Sequence, residues 1–369
     1  MEAWNFRRRL SCLFSSLIDM FYIHIPFCIR KCLYCDFYSV TDCSLAKKYK
    51  DAVIEEMRLY EGMKAETVYI GGGTPTVLGD NLVEIVKAAG KIFDLSDDAE
   101  FTVEANPGTV NPSLLGELAE NGVNRISLGA QSFNDNELKA LGRIHTAEEI
   151  FEAVDMVRGA GIKNLNIDIM LATPKQTIES LKHTLDCVEK INPEHISAYS
   201  LIIEENTPFF NNTPPLCDED TEREMYYYTT ERLEKAGFFR YEISNFAKKG
   251  YESRHNSRYW QDYEYIGIGA GAHSYYENKR YYNEADISLY INGEGRKQGV
   301  YNVTDRERKL ELFMLGLRMT RGVLYNGEFK ERVNPLIKKG LLEIKDNYLR
   351  LTPRGTDLAN LVFMEFLDD

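Results

Sequence analysis

The chain has 369 residues, with 44 Lys and Arg against 57 Asp and Glu, a formal net charge of −13 and 44% hydrophobic content. These values exclude general disorder and suit one large α/β domain with an appendage. A pI near 5.1 argues against binding nucleic acid by phosphate neutralisation, and no apolar run is long enough for a membrane-spanning helix.

Residues 1–19 carry Arg7-Arg8-Arg9 ahead of a stretch broken by Ser11, Ser15, Ser16 and Asp19. That is not the clean apolar core of an export signal. We expect an extension outside the fold, with the working chain starting near Met20. A strand follows at 21–25, then a helix over 45–60, with Val53, Ile54 and Met57 at helical spacing. A strand at 67–70 stops at Gly71-Gly72-Gly73, and a helix covers 82–92. A strand at 100–104 stops at Asn106-Pro107-Gly108. The helix at 112–120 has Asn111 as its cap and Pro112 in its first turn. Strands at 124–128, 164–170 and 195–203 alternate with helices at 147–160 and 177–190.

Six strands joined by helices imply parallel strands with right-handed crossovers. Six units fall short of a closed eight-stranded barrel, so we expect an open or three-quarter barrel, or a doubly wound sheet. Chemistry belongs at the C-terminal ends of such strands, where Cys28–Cys35, the glycines, Glu104, Gln131 and Asp168 all fall. The barrel is assigned to 20–218. An extension fills 219–304, with a helix at roughly 219–236 and a Tyr- and Gly-rich segment at 238–300. The last unit, 305–369, is α+β and winged-helix-like, with a hairpin turning at Asp346-Asn347. It holds 12 basic and 11 acidic residues, against 27 and 43 in residues 41–304. A near-neutral unit gives little support to a DNA-binding role.

Seven cysteines are an odd count, which does not suit a disulfide framework. Cys28, Cys32 and Cys35 fall on one short loop. Three thiolates can hold three irons of a [4Fe–4S] cluster and leave the fourth open for a ligand. A zinc site would need a further ligand, for which Cys43, His24 or Asp36 is available. It would also more often use two separated cysteine pairs. The cluster is therefore the preferred reading, and Cys12, Cys43, Cys187 and Cys217 are read as ordinary thiols.

The C-x3-C-x2-C triplet after a strand, within YIHIPFCIRKCLYCDFYS, resembles the radical S-adenosylmethionine (SAM) superfamily. Within it, the chain is similar to the coproporphyrinogen-dehydrogenase-like branch from Phe21 to the C-terminus. The resemblance implies a partial barrel of radical SAM type, with SAM on the open iron. It makes Gly71–Pro75 the motif that grips the SAM amino group, including Gly72, Gly73 and Thr74, and it places Tyr22 and Glu104 against SAM. In relatives with two SAM sites, residues matching Tyr34, Gly73, Thr74, Gln131, Arg143 and Asp168 also serve. One departure is Leu171-Ala172-Thr173-Pro174, where the family has Tyr-Gly-Leu-Pro.

The decarboxylase of this branch carries another cysteine two residues after the third ligand; here Phe37 stands there. The segment RHNSRYW matches the H-N-x-x-Y-W motif of the branch's heme chaperones, through His255, Asn256, Tyr259 and Trp260. The resemblance thus implies a heme-binding chaperone with no catalysis beyond weak SAM cleavage. It further implies a homodimer delivering heme to membrane respiratory proteins, placed in the cytoplasm or at the inner face of the membrane. The alternative is oxygen-independent oxidation of coproporphyrinogen III, decarboxylating two propionates through a 5′-deoxyadenosyl radical. The Gly-rich run ending at His273 is expected beside the barrel mouth.

Overall fold

The structure, a computed structural model, describes residues 20–367. The expected extension 1–19, with Cys12, lies outside the described residues. Strands β1 (Met20–Ile25), β2 (Lys64–Gly72), β3 (Asp94–Ala105), β4 (Arg125–Gln131), β5 (Asn164–Leu171) and β6 (His195–Ser200) lie side by side in chain order, all parallel. The crossovers carry α1 (Ala46–Met57), α2 (Asp80–Ile92), α3 (Pro112–Glu120), α4 (Asp135–Ala140), α5 (Ala147–Gly159) and α6 (Ile178–Ile191). Asn111 caps α3 as expected, its side chain accepting from the Leu114 N–H at 2.9 Å. The six-residue α4 was not anticipated, because one and a half turns are too short to show helical periodicity.

The sheet continues beyond six strands. At the β6 edge, β8 (Asn245–Ala247) pairs antiparallel, followed by β7 (Phe239–Arg240). At the other edge β9 (Ile266–Ile268) joins β1 in parallel, with Tyr22 opposite Gly267. The nine strands form the order β7-β8-β6-β5-β4-β3-β2-β1-β9. Strands of two or three residues among glycines and tyrosines carry no legible alternation, so they could not be read in advance.

The pleat divides each strand between core and cavity. On β4, Ile126, Leu128 and Ala130 face the helices, whereas Arg125, Ser127, Gly129 and Gln131 face inward. On β5, Leu165, Ile167, Ile169 and Leu171 are core, and Asn166, Asp168 and Met170 point into the barrel. β1 obeys the same rule, with Phe21, Ile23 and Ile25 outward and Tyr22 and His24 inward. The outward residues bury one continuous core against the helices. The inward residues, mostly polar, line the interior cavities.

Residues 305–367 build a second core around Leu310, Phe313, Val333, Leu336 and Leu349. Its helices Asp305–Gly316 and Lys330–Lys338 pack beside a three-stranded antiparallel sheet. The expected hairpin turns at Asp346 and Asn347, both with positive φ (51° and 66°), the geometry of a type I′ turn. No described helix is long and apolar enough to cross a membrane.

One buried carboxylate ties the edge strand β9 to the barrel. Glu56 of α1 is 1% exposed. It accepts from the Gly269 N–H (2.9 Å), the Asn283 Nδ2 (2.9 Å) and the Tyr290 hydroxyl (2.5 Å). Removing the acceptor leaves the Gly269 N–H and the Tyr290 hydroxyl unpaired and takes one of the two partners of the Asn283 Nδ2, which keeps the Gly269 carbonyl. Glu56→Ala should therefore cost about 3 kcal/mol in urea unfolding and speed amide exchange across 266–291. A cost below about 1 kcal/mol would show that the latch is dispensable.

Candidate functional site at the barrel mouth

The three cysteines ride on the loop after β1. Its base is closed by Cys28 N–H to Val40 carbonyl (2.9 Å) and Val40 N–H to Pro26 carbonyl (2.8 Å). Its tip is held by Leu33, which donates to the Leu141 carbonyl and accepts from the Phe209 N–H. The end of β2 lies directly behind. Gly73 N–H donates to the Ile25 carbonyl at 2.8 Å, and Thr74 N–H to the Phe27 carbonyl at 2.7 Å. The glycines there are required by space. A Cβ on Gly72, whose φ is +114°, would lie 2.4 Å from the His24 ring. A Cβ on Gly73 would lie 2.6 Å from the Phe27 carbonyl and 3.0 Å from Cys28 Sγ.

A cavity of about 580 Å³ gathers Cys28, Cys32 and Cys35 with Tyr34, Gly72, Gly73, Thr74, Glu104, Gln131, Arg143 and Asp168. A hydrogen-bonded chain crosses its mouth. Thr74 Oγ1 donates to Cys28 Sγ at 3.6 Å, and Asn106 Nδ2 donates to Thr74 Oγ1 at 2.8 Å. Arg143 then bonds the Asn106 side-chain oxygen with one nitrogen, and reaches Cys32 Sγ at 3.5 Å with the other. Side-chain donors thus meet two of the three sulfurs. Among the described residues, no three His, Cys, Asp or Glu side chains converge on a point suited to one bare ion. Of the residues available to complete a zinc site, Cys43 is exposed, and His24 has both ring nitrogens hydrogen-bonded. Three thiols on one loop, two of them met by side-chain donors, fit the three cysteine ligands of a cluster with one open iron.

Glu104 accepts from the Tyr69 hydroxyl (2.7 Å) and the Gly72 N–H (3.0 Å). Burial pushes its carboxyl up to about 7, against the opposing pull of the Tyr69 bond. Asp168 is likewise raised, by burial first, although bonds from Ser197 and Asn166 oppose it. Below them, Arg125 is 1% exposed, and its Nε and Nη1 have no hydrogen-bond partner. Its charge helps both carboxylates ionise. Tyr199 donates to Gln131 Oε1 at 3.1 Å. Ala172 adopts φ +55°, so the turn after Asp168 takes a left-handed residue where the family pattern has glycine.

A second cavity of about 800 Å³ adjoins the first and shares Asp36, Phe37, Tyr69, Glu104 and Asn256 with it. Tyr22 lies here, not beside the cysteines, and its hydroxyl bonds His24 Nδ1 at 2.9 Å. His255 and Tyr259 line it too. Trp260 lines neither cavity; its ring lies 4.3 Å from the Arg318 guanidinium, facing the C-terminal unit. Sequence reading missed Asn106, Arg125, Asn166 and Tyr199 as cavity residues. The available signal was polar residues at every second position of otherwise apolar strands, as in Arg125, Ser127, Gly129 and Gln131.

A partial parallel barrel with three thiols after its first strand is the architecture of a radical SAM protein. The Radical SAM superfamily model matches residues 22–188, and the HemN C-terminal domain model matches 303–358. The heme chaperone HemW of Lactococcus lactis is 38% identical over 94% of this chain and 97% of that protein. The Bacillus subtilis HemW is 36% identical (94% and 99%), and that of Escherichia coli 33% (94% and 97%). The chain belongs to the HemW family. In three dimensions it is similar to the coproporphyrinogen III oxidase HemN of Escherichia coli, with a TM-score of 0.82 over 98% of this chain and 93% of that one, at 22% identity. That likeness bears on the fold alone.

Two outcomes follow from the site's local physics. A carboxyl with a raised folded pKa binds more protons folded than unfolded, so its contribution to stability falls as pH rises from about 4.5 through about 7. Metal-free Glu104→Gln should gain stability relative to the unaltered protein over that window, by a difference on the order of 3 kcal/mol in urea unfolding. A flat difference would refute the raised carboxyl. Ala172→Gly should relieve about 1–2 kcal/mol of left-handed strain against about 0.5–1 of added chain entropy. A small rise in melting temperature is expected, and a drop would count against the turn described here.

Proposed function

We propose that this chain is a heme chaperone, which binds heme beside a [4Fe–4S] cluster carrying SAM and hands it to acceptor proteins. The observation that carries the proposal is the pair of adjoining cavities, one lined by three thiols and the other by aromatic and histidine side chains. A volume of about 800 Å³ lies within the usual span of ligand pockets, about 300–1,000 Å³. The names of the relatives support the heme role.

Cys28, Cys32 and Cys35 would hold the cluster, which supplies one-electron chemistry toward the SAM sulfonium. The chain's own residues prepare that place. Thr74 and Arg143 direct donors at two of the sulfurs. Gly72 and Gly73 keep the wall beside Cys28 free of side chains. Glu104, Gln131 and Asp168 offer acceptors for amino and hydroxyl groups, while Arg143, whose terminal nitrogens are engaged by Cys32, Asn106 and the Gly129 carbonyl, brings a fixed positive charge to the wall. Phe37 is 62% exposed and lines both cavities, so it offers an aromatic face where they adjoin. As recipients we propose membrane respiratory proteins, met from the cytoplasmic side by a homodimer.

Anaerobic reconstitution tests the proposal. About four iron and four sulfide per chain are expected, lost in Cys28→Ser, Cys32→Ser and Cys35→Ser. SAM should alter the EPR spectrum of the reduced centre, and heme should bind saturably with a new Soret band. One zinc and no sulfide would overturn the cluster. Stoichiometric decarboxylation of coproporphyrinogen III would overturn the chaperone in favour of the oxidase.

A further inference from the structure

We propose that Arg125, on the inner wall of the thiol-lined cavity, is a binding residue for a ligand carboxylate. The proposal rests on the reading above, which brings two carboxylate-bearing molecules to the barrel: a tetrapyrrole with its propionates, and SAM with its amino-acid end.

Two guanidiniums with inward positions line this cavity, Arg125 and Arg143. Arg143 is used up by the protein, since its terminal nitrogens meet Cys32 Sγ, the Asn106 side-chain oxygen and the Gly129 carbonyl. Arg125 is not. It is 1% exposed, yet no hydrogen bond or ion pair joins its side chain to any described residue. Its Nε and Nη1 are enclosed without a partner. Buried charges in folded proteins are ordinarily paired, because leaving water uncompensated is costly. The sheet register sets a second orphan beside it. Thr102 of β3 lies opposite Arg125 of β4, is fully buried, and has no partner for its Oγ1.

The polar groups one layer nearer the mouth are committed to one another. Glu104 accepts from Tyr69 and the Gly72 N–H. Asp168 accepts from Asn166 Nδ2 at 2.6 Å, which also reaches Ser127 Oγ at 2.7 Å. Asn166 Oδ1 bonds His195 Nδ1 at 2.6 Å and accepts from Ser197 Oγ at 3.2 Å. Arg125 acts on the two acids through space without bonding either. Burial raises both carboxyls, which lessens the negative charge that faces the guanidinium.

A carboxylate answers this arrangement. Its two oxygens match the planar guanidinium fork, and a spare lone pair can take the Thr102 hydroxyl. Two routes lead to it. Tyr69 and Glu104 line both cavities. Tyr69, Thr102 and Arg125 are partners in register on β2, β3 and β4, so the Tyr69 and Arg125 backbones stand two strand spacings, about 10 Å, apart. A propionate arm crosses that interval from the larger cavity. The amino-acid end of SAM enters from the side of the thiol loop.

The test measures binding to the full-length protein with its cluster oxidised, under anaerobic conditions, for the unaltered chain and Arg125→Met. Heme and heme dimethyl ester are followed by their Soret bands, SAM and decarboxylated SAM by calorimetry. Arg125→Met should weaken heme or SAM at least about tenfold and leave the esterified or decarboxylated counterpart unchanged. A response in the heme pair assigns the site to a propionate, and one in the SAM pair to the amino-acid end. Ligand-free Arg125→Met should melt no lower than the unaltered protein, because an unpartnered buried charge has been removed. Unchanged binding of both acids, equal weakening of an acid and its counterpart, or a lower melting temperature in Arg125→Met overturns the proposal. An unaltered protein that binds no heme, with the SAM pair still responding, overturns the heme reading and leaves Arg125 as a carboxylate residue for SAM.

Discussion

The barrel mouth depends on the close approach of the β2 end to the start of the thiol loop. Two backbone bonds, Gly73 to Ile25 and Thr74 to Phe27, join the segments. The join is possible because residues 72 and 73 lack a Cβ: either one would collide with His24, the Phe27 carbonyl or Cys28. The loop's position follows from this seam, together with the pins at Val40 and Leu141. The chain from Thr74 through Asn106 to Arg143 then extends the order from one sulfur to another.

Below the mouth the interior is polar, an arrangement that a closed hydrophobic barrel would not tolerate. The parallel strands bury their outward side chains against helices, which supplies the hydrophobic stabilisation. Their inward side chains are therefore free to be Arg, Asn, Asp, Glu and Tyr. Arg125 illustrates the consequence. A buried guanidinium with two unpartnered nitrogens is costly in isolation, and it persists here beside the carboxyls of Glu104 and Asp168, whose ionisation its charge favours. Burial still dominates for both acids and holds the Glu104 carboxyl up at about 7.

The segment 219–304 gives the barrel its second cavity. β9 widens the sheet at β1, and the ribbon that follows carries Tyr282 and His273 to the rim. Glu56 fastens this segment from inside. Membership of the HemW family and the adjoining cavities are the two observations on which the proposed heme-chaperone role rests. The helix Arg254–Trp260 shares its residues among different tasks. His255 lines the larger cavity, Asn256 lines both cavities, and Trp260 turns outward under Arg318.

Strand–helix alternation, the Asn111 cap, the Asp346-Asn347 turn and the thiol triplet were all legible in the sequence. Each is a local signal: a pleat period of two, a helical period near 3.6, a capping side chain, or a spacing within eight residues. The family resemblance added the ring of Glu104, Gln131, Arg143 and Asp168, because its short words survive intact. Other placements could only come from the fold. Arg143 meets Asn106 and Cys32 across 37 and 111 residues, and Thr67 meets His255 across 188. A motif states that His255, Tyr259 and Trp260 are neighbours in the chain, but which of them faces a ligand is set by the rotation of a seven-residue helix against β2. Packing between distant segments decides which nitrogen is occupied and which is left open, and no local pattern encodes that.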